Sequence, residues 1–344
     1  MSPFTDFKLE YYIDTDHRFM DITGALQDRI KAWLFDPRLP IVDRVKAVTG
    51  VPGIGRSWFL HFIQASSLTR TSFSDPFFEL DSGGYSAIYI DLKGRIGDHA
   101  GRFSLDLKNR MQEVWEETSK PLCLCVDNVP ENPDAELDAF EKLVLFPCLE
   151  KYQGFVLLAL DSAERCGLSA RFPLAKPFWP LETFKDDAAN HDIFKPNNPC
   201  SAPIPDLAPY TFGHPGLAQF LCKDGVDTGI KDFVTYWMAA RGIDDEEIQS
   251  QILTMALPLS LISLTEPDAK DKSERAWEIC GLTMPPKAWG RQMDRLRRLG
   301  WVTLTRSMKY RPYVWDRVIQ GCLQHLFKTD NPGDYSEIEA IARA

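Results

Sequence analysis

Apolar residues fall in two distinct rhythms along the chain. Met20, Ile22, Leu26, Ile30, Trp33 and Leu34 recur near a helical period and predict an amphipathic helix over 20–34, stopped at Asp36-Pro37. Short, nearly continuous apolar runs follow at Arg44–Thr49, Ser86–Leu92, Leu122–Asp127 and Gly154–Leu160, with a fifth candidate at Lys176–Leu181. Between them lie helical patterns over Arg56–Ser66, Leu105–Thr118 and Ala135–Tyr152. Apolar strands alternating with helices predict an α/β domain whose parallel sheet is covered on both faces.

That rhythm breaks at Asp186–Tyr210, where prolines at 196, 199, 203, 205 and 209 predict an irregular connection. Helical patterns resume at Leu217–Cys222 and Ile230–Met238. Near the end, a helix at Trp289–Leu299, a hairpin from Gly300–Thr305 and Tyr310–Trp315, and a helix at Arg317–Phe327 predict a winged-helix domain. The expected organisation is an N-terminal helix and lead-in (1–40), an α/β domain (41–182), a proline-rich connection with a helical lid (183–240), a winged helix (241–330) and a tail (331–344).

The chemistry concentrates where the first strand meets the first helix. Gly50-Val-Pro-Gly-Ile-Gly-Arg-Ser57 fits the phosphate-loop pattern G-x-x-x-x-G-K-[ST], except that Arg56 stands at the lysine position. Glycines let backbone N–H groups turn inward around phosphate at a helix N-terminus. The pattern's lysine sets a compact ammonium beside the phosphates, whereas Arg56 brings a longer, planar guanidinium. Asp127 ends an apolar strand, where an acid supports magnesium in such ATPases; the bland alternative is a turn cap. Its neighbour Asn128 carries an amide, which cannot act as a base. Asp161, Ser162, Arg165 and Arg171 follow the next strand, and Glu131 lies beyond Pro130, as further polar candidates. Tyr210–Gly216 is a sharp turn into a helix, read either as a simple helix start or as a lid in which Gly213, His214 and Pro215 approach a nucleotide.

Taken together these residues resemble the STAND branch of the AAA+ ATPases. Gly50–Ser57 is similar to the family's G-x-P-G-I-G-K-[ST], Leu122–Asn128 to its hydrophobic strand ending in two acids, and Gly213–Gly216 to its lid turn. Val314–Ile319 sits where the winged helix carries a Met-His-Asp motif, with Trp315 at the histidine and Asp316 at the aspartate. The resemblance implies the sheet order 5-1-4-3-2 and a site for ATP or ADP with Mg2+. Gly50, Gly53, Ile54, Gly55, Arg56, Ser57 and Trp58 would hold the nucleotide, Ser57 and Asp127 the metal, and Asp127 is the one catalytic candidate. Arg56, Asn128 and Trp315 depart from the family pattern and imply weak or absent hydrolysis. The expected function is a switch or scaffold in signalling or defence that works through a partner protein. The alternatives are a DNA-binding regulator and an active ATPase with arginine in place of lysine.

Charge matters to the second of these. The net charge of −10 argues against a protein that coats nucleic acid, yet residues 286–317 hold nine basic side chains against Asp294 and Asp316. Arg291, Arg295 and Arg298 share a helix face and form a candidate surface for nucleic acid or an acidic partner, with a solvated helix face as the plain reading. The eight cysteines show no metal spacing and are expected as reduced thiols of a cytoplasmic protein. No apolar run reaches membrane-span length, and the acidic start (Asp6, Glu10, Asp14) does not read as a signal peptide. No membrane association is expected, and neither is an N-terminal effector or C-terminal sensor repeat.

Overall fold

The computed structural model describes residues 33, 36, 38–68, 85–93, 100–130, 135–160, 166–169, 171–172, 179–180, 200, 202–283, 285, 287–304 and 313–343. Side chains at 58, 62, 65–68, 100–101, 136 and 180 are excepted. Most of the helix expected at 20–34 and the candidates Glu131, Asp161, Ser162 and Arg165 lie outside these residues. The chain divides into two compact units between Glu182 and Thr183.

The first unit is a parallel sheet. Strands β1 (Val45–Thr49), β2 (Ser86–Asp91), β3 (Leu122–Asp127), β4 (Phe155–Leu160) and the two-residue β5 (Trp179–Pro180) stand in the order β2-β3-β4-β1-β5. Counted from the β5 edge, that order is 5-1-4-3-2. Every residue of β3 and β4 is buried. This is why their sequences are continuously apolar rather than alternating.

The twofold repeat of a strand still sorts their side chains. Leu122, Leu124, Val126, Val156, Leu158 and Leu160 face one core with Met111, Leu137 and Phe140. Those last three lie on α2 (Ala100–Thr118) and α3 (Ala135–Phe140). Cys123, Cys125, Phe155, Leu157 and Ala159 face the opposite core with Phe59, Leu60 and Ile63 of α1 (Arg56–Leu68) and with Trp33. Each fully buried Leu, Val or Phe adds on the order of 1.5–3 kcal/mol. The cysteine pair at 123 and 125 is therefore strand core.

A π-helical turn (Glu141–Leu145) and α4 (Phe146–Glu150) extend α3. The buried Glu141 carboxylate accepts from the backbone N–H and hydroxyl of Ser169. Gly154 then brings the chain into β4 at close quarters: a Cβ there would lie 2.5 Å from the Leu122 carbonyl and 2.6 Å from Cys148 Sγ.

The second unit is helical with one small hairpin. It runs α5 (Ile204–Leu207), α6 (Pro215–Asp224), α7 (Val226–Ala239), α8 (Glu246–Leu259), α9 (Ala269–Ile279), α10 (Ala288–Arg298), the antiparallel pair β6 (Val302–Leu304) and β7 (Tyr313–Trp315), then α11 (Arg317–Asp330) and α12 (Pro332–Arg343). Three indoles lock its core: Trp237 is fully buried and donates to the Leu299 carbonyl, Trp277 donates to Met255, and Trp301 is fully buried. Gln320 and Gln324 of α11 both donate to the carbonyl of Ser260 at the end of α8. The residues expected as a tail hold α12, anchored by fully buried Ile338.

One expectation is corrected here. Cys200 and Cys222 are joined by a disulfide, so the cysteines are not all reduced thiols. Their separation of 22 residues matches no metal pattern; the fold brings their Cα atoms to 4.2 Å. The cysteines thus give no support to a reducing compartment. Among the described residues no helix is long and apolar enough to cross a membrane.

Gly154→Ala should destabilise the first unit by about 1–3 kcal/mol, because the backbone carbonyl of β3 cannot retreat from the added methyl. A urea titration followed by tryptophan fluorescence measures this. An unchanged midpoint would contradict the close packing.

Candidate functional site

The loop 50–55 joins β1 to α1 and takes the backbone form that its glycines permit. Gly53 (φ 78°) and Gly55 (φ 104°) lie in the left-handed region, where a side chain is strained. The Ile54 N–H bonds back to the Val51 carbonyl, and Ile54 is buried as the loop's apolar anchor. The Gly55 carbonyl accepts the Phe59 N–H and opens the helix. Gly50, Gly53, Gly55, Arg56 and Ser57 are all partly exposed, so solvent reaches the loop along its length. The Trp58 side chain lies outside the described residues.

Asp127 ends β3 on the α1 side of the sheet, because it is two residues beyond Cys125 on the same face. It is 5% exposed, and a carboxylate so buried requires donors. Tyr89 of β2 gives its hydroxyl to Oδ2 at 2.8 Å, and the Asn128 backbone N–H reaches Oδ1 at 2.8 Å. Burial and the Asp127 charge push the Tyr89 phenol far above its ordinary range, so it remains a donor.

His61 of α1 stacks on the Tyr89 ring with centroids 3.8 Å apart. Burial lowers the His61 pKa from 6.5, against the raising effects of its hydrogen bond with Gln64 and of the Asp127 and Asp91 charges.

Asn128 adopts φ 54° and donates its side-chain amide to Asp91 Oδ1 at 2.7 Å. Asp91 is the register partner of Asp127, and it also accepts the Lys93 N–H. An amide therefore bridges the ends of two acid-terminated strands. A second acid at 128 would set another negative charge against Asp91. Sequence reasoning missed Tyr89, His61 and Asp91. Period-2 spacing does place Tyr89 and Asp91 on one strand face, but nothing local links them to Asp127.

The donor set suits a hard cation. Asp127 and the Ser57 hydroxyl offer oxygen donors, the type that a hard cation such as Mg2+ takes together with substrate phosphates and retained waters. Among the described residues no group of three or more His, Cys, Asp or Glu is placed to hold a metal on its own.

In the second unit the Gly213–Gly216 turn leads into α6, with His214 as its cap. It is fully buried, its Nδ1 accepts the Leu217 N–H as the cap of α6, and its ring lies 5.0 Å from Phe233. Gly213 has φ 74° and is also buried, while Pro215 opens the helix. The His214 side chain is thus a helix cap in an aromatic core.

Trp315 is 8% exposed on β7, and Asp316 caps α11 through the Val318 and Ile319 N–H groups. Burial raises the Asp316 pKa, against those two hydrogen bonds. On α10, Gln292, Met293 and Leu296 face inward while Arg291, Arg295 and Arg298 are exposed. The three arginines thus share the solvent side. Arg171 is also exposed.

No protein-family model matches the chain, and no curated protein matches it. Among solved structures it is similar to a Walker-type ATPase of Pyrococcus abyssi (11% identity, TM-score 0.47, covering 87% of this chain and 94% of that one). It is similar also to the ORC2 protein of Aeropyrum pernix in ADPNP and ADP complexes (12%, TM-score 0.43, 90% and 94%). A third is AMPPCP-bound DnaA from Aquifex aeolicus (11%, TM-score 0.42, 98% and 97%). At these scores the likenesses carry no argument about this chain's activity.

The lowered His61 pKa has a consequence for stability. Just below pH 6.5 the unfolded chain binds a proton that the folded chain refuses, so stability is full above that pH and falls as pH drops through the window. His61→Phe keeps a ring on Tyr89 and should flatten the loss of melting temperature between about pH 7.5 and 5.5. Equal slopes for both proteins would show that His61 does not titrate in this way.

Proposed function

We propose that the chain is a nucleotide-binding switch or scaffold of the AAA+ type, STAND-like, that holds ATP or ADP with weak or no hydrolysis. It would act in signalling or defence through a partner protein. The observation that carries this reading is the glycine loop itself. Two left-handed glycines lie between the first strand of a parallel sheet and its helix, with a buried aspartate ending β3.

Loop N–H groups and the α1 dipole favour phosphate, and Arg56 adds positive charge. Ser57 and Asp127 would hold Mg2+, which when bound neutralises charge on the phosphates. Weak hydrolysis follows from Asn128: its amide is bonded to Asp91 and has no basic lone pair to take a proton from water.

A thermal-shift titration tests the binding. Millimolar ATP or ADP with Mg2+ should stabilise the protein, by about 2.7 kcal/mol at one hundred times Kd. Arg56→Ala should remove most of that shift. No shift with either nucleotide would remove the switch and leave a scaffold.

The exposed Arg291, Arg295 and Arg298 favour a second reading, a DNA-binding regulator whose helix–hairpin–helix segment works as a winged helix. Duplex binding should then weaken steeply between about 50 and 200 mM salt and lose affinity in Arg295→Ala. Salt-insensitive or absent binding excludes it.

A further inference from the structure

We infer that Tyr89 is a positioning residue of the proposed nucleotide site, fixing the Asp127 carboxylate for a magnesium ion. The inference rests on the reading just given and adds to it a residue that no phosphate-loop motif contains.

Asp127 has little freedom of its own. It is 5% exposed, and each carboxylate oxygen accepts one hydrogen bond at 2.8 Å, Oδ1 from the Asn128 backbone and Oδ2 from Tyr89. A backbone N–H alone would hold one oxygen and leave the other buried without its donor. The Tyr89 hydroxyl fixes the second oxygen and so the plane of the group. Each oxygen keeps further lone-pair capacity for a metal-bound water.

Tyr89 is itself held from two sides. Its backbone is pinned by the β2–β3 register, which pairs it with Cys125. Its ring is stacked 3.8 Å from His61, four residues beyond Ser57 on the same helix. Ser57 and His61 therefore share one face of α1. The loop helix and the acid strand are thus coupled through one phenol: Ser57 to His61 along the helix, His61 to Tyr89 by stacking, Tyr89 to Asp127 by hydrogen bond. Partners of this kind, one bond removed from the metal, commonly govern metal affinity by 10–100-fold.

The test is a Mg2+ titration of nucleotide-induced thermal stabilisation at fixed ATP, with direct Mn2+ binding by electron paramagnetic resonance as an independent readout. Tyr89→Phe, which keeps the ring on His61, should raise the half-maximal metal concentration about 10–100-fold. In an Asp127→Asn background the same change should add nothing, because Tyr89 acts through the carboxylate. The unliganded melting temperature reports whether each variant folds. His61→Ala, which removes the stack and keeps the hydroxyl, should shift the metal midpoint in the same direction by less.

If Tyr89→Phe titrates like the unaltered protein, or shifts the midpoint equally when Asp127 is already asparagine, the inference is overturned while the nucleotide reading stands. If the unaltered protein shows no nucleotide response at any metal concentration, both fall.

Discussion

Strands β3 and β4 are dry on both faces, and the rest of the first unit follows from that. A strand with no wet side must be covered twice, so the sheet is parallel and helices connect its strands on either face. The pleat then assigns residues to faces in strict alternation. Odd-numbered positions of β3 go to the side of α1, so Asp127 emerges beside the helix that the glycine loop begins. One constraint of burial thus brings an acid to the side of the sheet where the glycine loop opens α1, and no specific contact between Asp127 and the loop is needed to explain its side.

The polar end of the sheet shows what such placement costs. Two neighbouring strands end in aspartates, and Tyr89, Asn128 and the backbone N–H groups of residues 93 and 128 supply their donors. Buried carboxylates are tolerated when every oxygen has a partner. Within that network an amide at 128 is the complementary residue. Its side-chain amide gives Asp91 a donor where a second acid would add like charge. In the second unit the His214 imidazole caps a helix through Nδ1 within an aromatic core.

Much of this was legible from local pattern. β3 was readable as Leu122–Asp127 because a doubly buried strand is an unbroken apolar run, and the loop because Gly50, Gly53 and Gly55 lie close together in the chain. What escaped was of longer range. Tyr89 meets Asp127 across 38 residues, and Cys200 meets Cys222 across 22, with no motif to announce either. Helix α8 was missed although Asp245 caps it through two N–H groups, a signal present in the sequence. Helix α9 combines strong polarity with few buried positions, and the packing of Ala269, Ser273, Ala276 and Trp277 makes it a core element.

The central claim is that the chain retains a nucleotide without consuming it. The direct measurement is to incubate the protein with millimolar ATP and Mg2+, separate the complex rapidly, and identify the nucleotide that stays bound. ATP recovered intact, at close to one per chain, is the predicted result. Phosphate released over many turnovers per chain, or no nucleotide retained at all, would contradict the account.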